Sequence, residues 1–313
     1  FSACHRRRLG FPDGLPEDDA RWQRGPACLP DDTRVRREFA GFKRLARDLD
    51  ANLGIILAGL ESSGLADNTV VLITTDHGID FPRMKCTLRD DGLGVFLMIR
   101  GPRDSAWRGG RVVESLVSHV DVFPTLCDFV GYERPTWLQG QSMTPLVEEG
   151  GSEINDAVFG EVNYHAAYQP MRGIRTKRWK YIRHFYERAQ PVAPNQAPND
   201  SRDVWDERGW LERNEPREEL YDLVFDPMES NNLAGNEDHA DIQADLKARL
   251  RHWMTDTDDP LLNGHIPLVQ GGQTVRWDET SNQGLRMEAE EWNAWLQVNE
   301  PATWLANDQD DRT

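Results

Sequence analysis

The feature that most limits what this chain can fold into is a change of hydrophobic period between residues 60 and 76. From Thr33 to Ser63 the residues Val35, Phe39, Phe42, Leu45, Leu49, Leu53, Ile56 and Leu60 recur every three or four positions. That spacing predicts one long amphipathic helix, with Asp32 as its N-cap and Gly64 as its stop. Directly behind it, residues 68–75 are β-branched, apolar on both faces, and end at Asp76-His77-Gly78. A continuous apolar strand behind a helix predicts a buried, mainly parallel sheet flanked by helices. Residues 94–100 form a second such run, closed by Gly101-Pro102, and Ser118 to Gly131 reads as a helix with Pro124 in its first turn. Residues 1–150 therefore read as α/β, after thirty loop-like residues punctuated by Gly and Pro.

The pattern then changes. Residues 158–163, 171–176 and 179–184 read as short strands, the last two joined as a hairpin through Lys177-Arg178. Residues 189–219 are rich in Pro, Asn and charge and read as a long loop. Glu237 to Thr257, carrying Ile242, Leu246, Leu250 and Trp253, reads as a second amphipathic helix. Residues 151–262 are thus expected to form a smaller α+β subdomain with a short antiparallel sheet. Residues 263–313 are a polar, acidic tail with several Trp residues that periodicity does not place.

Charge and cysteine content exclude several function classes. The 313 residues hold 36 Lys+Arg against 53 Asp+Glu, a net charge of −17, which argues against a nucleic-acid partner. Four cysteines without a C-x-x-C pair exclude a disulfide scaffold and a zinc ribbon. No apolar run reaches the ~18–20 residues of a membrane span. The chain opens on Phe1 with no leader pattern, so it reads as a piece of a longer protein. The acidic excess is uneven: Arg172 to Arg188 holds seven Arg or Lys against one Glu. That stretch is either a solvated hairpin or a basic face able to steer an anion.

In open sheets ligands bind at the carboxyl ends of strands, which is where Asp76 and His77 fall. An adjacent Asp and His offer oxygen and nitrogen to one metal ion; alternatively Asp76 caps a turn and His77 is a loop residue. Lys85, eight positions on, lies where a loop can fold back over the strand end.

Taken together, Leu72 to Gly78, Lys85 to Leu88, Gly92 to Pro102, Ser118 to Thr125, Leu138 to Ser142, Glu219 to Leu223 and Asp226 to Leu233 resemble the type I sulfatase family. Asp76 to Pro82, Pro170 to Arg172, and Trp253 with Asp259-Pro260 are similar to its heparan N-sulfatase branch and related bacterial enzymes. The resemblance implies an alkaline-phosphatase-like fold and hydrolysis of sulfate esters or N-sulfates on sugars. It implies that Asp76 and His77 supply half the ligands of a Ca2+ ion, although calcium prefers oxygen donors. Lys85 matches a cation that grips the sulfate. His5, in Cys4-His5-Arg6, matches a residue near the leaving group suited to general acid catalysis, or is an ordinary loop histidine. His165 lines the substrate pocket or is a surface-loop histidine.

The departures are as informative. The family's nucleophile is a formylglycine made from the Cys of Cys-x-Pro/Ala/Ser-x-Arg. Cys4 and Cys28 each miss one position of that motif, and Cys86 and Cys127 miss both. The paired aspartates that complete the metal site are also missing. Both are expected upstream of Phe1, so the fragment itself should be inactive. A phosphate or phosphonate ester hydrolase of the same superfamily and a non-catalytic sulfated-glycan-binding remnant are the rival readings.

Overall fold

The computed structural model describes residues 17–148, 151–186, 190–299 and 302. Helix α1 (Glu17–Trp22) leads to α2 (Thr33–Ser62). Asp32 caps α2 by accepting the Arg34 amide at 2.9 Å, and Gly64 just beyond takes φ +73°, as the spacing predicts. Only the N-terminal half of the stripe is covered, where Val35 joins Phe81, Met84, Val204 and Trp205. Farther along, Ile55 and Ile56 are 71% and 65% exposed.

Strand β1 (Val71–Thr74), the single-turn helix α3 (Asp90–Leu93) and strand β2 (Leu97–Arg100) follow. The α/β class stands, but the pairing of these strands differs from the parallel one expected. Val71 lies opposite Arg100 and Thr74 opposite Leu97, in antiparallel register. A parallel pair needs a crossover, usually helical, and here the connection folds on itself instead. The Gly78 amide donates to the Gly92 carbonyl at 2.8 Å, closing residues 78–92 into a loop that returns the chain beside β1. Helix α4 (Val122–Val130) is preceded by a 3-10 turn and ends at Gly131 with φ +65°. Buried Asp121 fixes its start, accepting from the Ser118 amide and from the Gln141 amide, both at 2.8 Å.

The second region is a four-stranded antiparallel sheet in sequence order: β3 (Ala157–Tyr164), β4 (Tyr168–Thr176), β5 (Trp179–His184), then β6 (Glu218–Asp222). The stretch expected to be one long loop instead holds helix α5 (Asp200–Glu207), capped by Asn199, which accepts the Arg202 amide at 2.8 Å. Its Val204 and Trp205 are buried against α2, so tertiary burial overrides a turn-like composition. Helix α6 (Ala240–Asp256) packs Leu246, Leu250 and Met254 on Ile174, Tyr181 and Leu220 of the sheet.

The tail acquires structure too. Strands β7 (Gln273–Val275) and β8 (Arg286–Glu288) form a hairpin that leads into α7 (Ala289–Asn299). Met287, Trp292 and Leu296 bury themselves against Tyr168. Among the described residues no helix is long and apolar enough to cross a membrane.

Candidate functional site

The loop behind β1 carries most of the residues singled out from the sequence. Its neck requires glycine, because a Cβ on Gly78 would lie 1.9 Å from the Asp91 carbonyl oxygen. Inside the neck the Lys85 amide donates to Ile79 O at 3.1 Å. Arg83 and Cys86, on either side of Lys85, both hold positive φ, at 66° and 65°. Left-handed backbone at non-glycine residues costs of order 1 kcal/mol each and persists where the surroundings enforce it.

Those surroundings belong to the antiparallel sheet. Gly160 and Gly173 face each other across β3 and β4, and Leu88 fills the socket their missing side chains leave. Arg89 pairs with Glu219. Asp90 binds Arg175 at 3.0 Å and Lys180 at 2.5 Å, and Lys180 also meets Glu229 at 2.9 Å. Burial pushes the Glu219 carboxyl upward, but Arg89 and His184 outweigh it and hold the group well below the usual range. Within the described part of the basic stretch Arg172, Arg175, Lys177, Arg178 and Lys180 are drawn into ion pairs, and its turn at Lys177-Arg178 is exposed; Arg188 lies outside the described residues. Arg172 is 0% exposed and paired with Asp259 at 2.5 Å. Arg178 pairs with Asp222 at 2.7 Å, and Lys177 with Glu153.

Asp76 sits exposed at the end of β1, with His77 Nε2 3.5 Å from its Oδ2. His77 Nδ1 lies 2.7 Å from the Gly78 carbonyl. A carbonyl only accepts, so Nδ1 carries the proton, and in that neutral tautomer Nε2, on the Asp76 side, is the unprotonated nitrogen whose lone pair can ligate a metal. Among the described residues no three His, Cys, Asp or Glu side chains are grouped to hold a metal. His5 lies outside the described residues.

His165 stands on the β3–β4 turn, behind a register shift between Val162 and Tyr164. Loss of water around the ring lowers its pKa below the ordinary 6.5, and the Lys85 charge lowers it further; Asp80 opposes and His77 adds to the depression. The structure thus brings His165 into the electrostatic neighbourhood of Lys85 and His77. A direct link runs beside it: the Asn195 side chain holds the turn, and the next residue, Gln196, donates from Nε2 to Lys85 O at 3.3 Å.

Asp80, Asn195 and Gln196 were not singled out from the sequence. Asp80 lies inside the Asp76–Pro82 motif and was legible there, whereas Asn195 and Gln196 hide in a Pro/Asn-rich stretch that reads as solvent loop. Both are buried. None of the cysteines in the described region is a plausible thiolate nucleophile on these surroundings: burial raises the Cys28 and Cys86 thiols to about 12, and Cys127 is buried.

Residues 11–132 match the family described as sulfatase, and residues 83–215 match the one described as N-sulphoglucosamine sulphohydrolase, C-terminal. An ulvan-active sulfatase of Formosa agariphila is 34% identical over 249 residues, which are 77% of this chain and 49% of that protein. The N-sulphoglucosamine sulphohydrolase of Homo sapiens is 27% identical over 261 residues, 75% of this chain and 51% of that protein. A solved structure in complex with its substrate D-glucosamine-2-N,6-O-disulfate shares 26% identity and a TM-score of 0.56, over 74% of this chain and 44% of that one. This chain spans about half the length of the curated relatives it matches. Its α/β part with the appended antiparallel sheet is the alkaline-phosphatase-like architecture of its sulfatase neighbours. On these matches, the chain belongs to the type I sulfatase family.

Proposed function

We propose that this chain carries part of a hydrolase site for a sulfated sugar, an O-sulfate ester or an N-sulfate, with Lys85 gripping the sulfate and His165 facing the sugar. One observation carries the reading: the turn that bears His165 is tied to the Lys85 loop, Asn195 holding the turn and Gln196 Nε2 donating to Lys85 O at 3.3 Å, and the Lys85 charge helps lower the His165 pKa. A Lys85 charge strong enough to depress a neighbouring imidazole marks a local positive potential, which favours an anion. The sulfohydrolase relative and the disulfate-bound neighbour point to a sulfated amino sugar as the ligand class. The Lys85 ammonium neutralises charge that grows on the sulfate oxygens during transfer. Residues 1–150 are assigned to the C-terminal part of the catalytic α/β domain and 151–262 to its subdomain.

Asp76 and His77 are assigned to one side of a divalent-cation site. Calcium takes six to eight oxygens, and one carboxylate with one imidazole does not meet that need, so the pair does not hold calcium alone. A cation completed by further carboxylates supplies Lewis acidity toward the sulfate. His5 is assigned the proton delivered to the leaving group. With no Cys-x-Pro/Ala/Ser-x-Arg motif in its sequence, this chain is expected to bind substrate and not to turn it over.

Calorimetric titration of the chain with glucosamine-2-N,6-O-disulfate tests the reading. Lys85→Ala should weaken binding about tenfold or more, as expected for loss of a charged hydrogen-bonding partner. Equal affinities of wild type and variant would remove Lys85 from the site. Robust metal-dependent turnover of an aryl sulfate by this chain would contradict the missing nucleophile.

A further inference from the structure

Residues 263–299 lie beyond both matched family segments, which end at residues 132 and 215. They nevertheless reach the turn that carries His165. Tyr164 and Tyr168 face each other across that turn with ring centroids 4.6 Å apart. Tyr164 OH donates to Ile266 O at 2.8 Å and accepts from Trp292 Nε1 at 2.9 Å. Tyr168 OH accepts from the Ile266 amide at 3.1 Å and lies 3.0 Å from His265 Nδ1.

The backbone of the turn is held from both sides. The Ala166 carbonyl accepts from the Val275 amide of β7 at 2.8 Å. On the other side, Asn195 Oδ1 accepts the Ala166 and Ala167 amides at 2.9 and 2.8 Å, and Asn195 Nδ2 donates to Ala167 O at 3.1 Å. Arg202 ties that second support to the tail, donating to Ala193 O at 2.9 Å and to Thr280 O at 3.0 Å. A turn whose Ala166 and Ala167 amides and carbonyls are all held by fixed partners has little freedom to re-aim the neighbouring side chain. The register shift next to it is the kind of feature that directs one side chain out of the regular pleat.

We propose that the segment 263–299 is a C-terminal clasp that sets the position of His165 against the Lys85 loop, with Tyr164, Tyr168 and Trp292 as positioning residues for sugar recognition. The inference rests on the reading of His165 as a pocket residue. The clasp does not touch the sulfate; it acts through the turn. It holds the turn from the side away from the Lys85 loop, so its expected effect is on how His165 is presented to the sugar.

Two conservative variants of the 313-residue chain test this. Trp292→Phe keeps an aromatic ring while deleting the indole N–H bond to Tyr164 and part of the buried ring; Tyr168→Phe deletes the hydroxyl shared with Ile266 and His265. Each should move the His165 imidazole signals in a 1H–15N correlation spectrum and weaken binding of glucosamine-2-N,6-O-disulfate several-fold. In a His165→Ala background the same changes should cost no further affinity. Unmoved imidazole signals in both variants overturn the clasp, as does an equal loss of affinity with and without His165. If His165→Ala alone leaves the affinity unchanged, the pocket reading fails, and the imidazole signals then decide the positioning claim by themselves. Should one variant unfold, the other carries both readouts.

Discussion

Strands β1 and β2 hold no fully buried residue, and in the same region Met98 of β2, Val112, Phe123 and Trp137 are about half exposed or more. In the four-stranded sheet, by contrast, Met171, Ile174, Tyr181, Ile182 and Leu220 are almost completely enclosed, together with the charged side chains of Arg172 and Lys180. Both regions have regular secondary structure, so local pattern alone does not separate them. The difference lies in partners: the second region finds its apolar and ionic counterparts within the described residues, and much of the first does not. The proposed site spans the two, with a loop from the less covered region held on a scaffold supplied by the enclosed one.

The largest effect that can sharpen this contrast is loss of a buried charge partner. Arg172→Ala leaves Asp259 buried without its guanidinium and should cost about 3–5 kcal/mol in urea unfolding followed by Trp fluorescence. A cost under about 1 kcal/mol would mean that the second region is less tightly organised than described. Filling the glycine socket comes next. Gly173→Val forces a side chain against Leu88 and should cost about 1–3 kcal/mol. It should also release the Lys85 loop, seen as faster amide exchange over residues 83–92.

Acid provides a third test. Glu219 has a folded pKa held below its unfolded value near 4.5. The stability this supplies is present above that pH and is lost as pH falls through the window below it. Replacing Arg89 with Met removes the main attraction that offsets burial, so the carboxyl pKa rises and the acid-side loss begins at higher pH. A pH–stability profile with the same acid limb in both proteins would break the link between the ion network and the fold. The smallest stability effect belongs to the first region. Ile56→Asp on the exposed half of α2 should change stability by no more than about 0.5 kcal/mol, yet reduce binding of a hydrophobic dye to the uncovered face.

How much of this was legible in the sequence follows from the same contrast. Helix α2, its cap Asp32 and its stop Gly64 were readable because a 3.6-residue period and capping chemistry are local. The β4–β5 hairpin was readable for the same reason. The direction of the β1–β2 pair was not, because it depends on how residues 78–92 close through Gly78 and Gly92, a contact no periodicity reports. Helix α5 was hidden by its Pro, Asn and Asp neighbours and exists because Val204 and Trp205 find cover on α2. Asp76, His77 and Lys85 could be picked out from their place after a strand. His165 was named as a candidate from the resemblance, but the long-range contacts through Asn195, Gln196 and the tail that hold its turn are not displayed by a sequence.

The central claim is that Lys85 and His165, from the two contrasting regions, share one anion site. The most direct test is an NMR pH titration of the His165 imidazole in the wild-type chain and in Lys85→Met. The account predicts a wild-type midpoint below the ordinary 6.5 and a higher midpoint once the neighbouring positive charge is removed. Identical midpoints in the two proteins would contradict it.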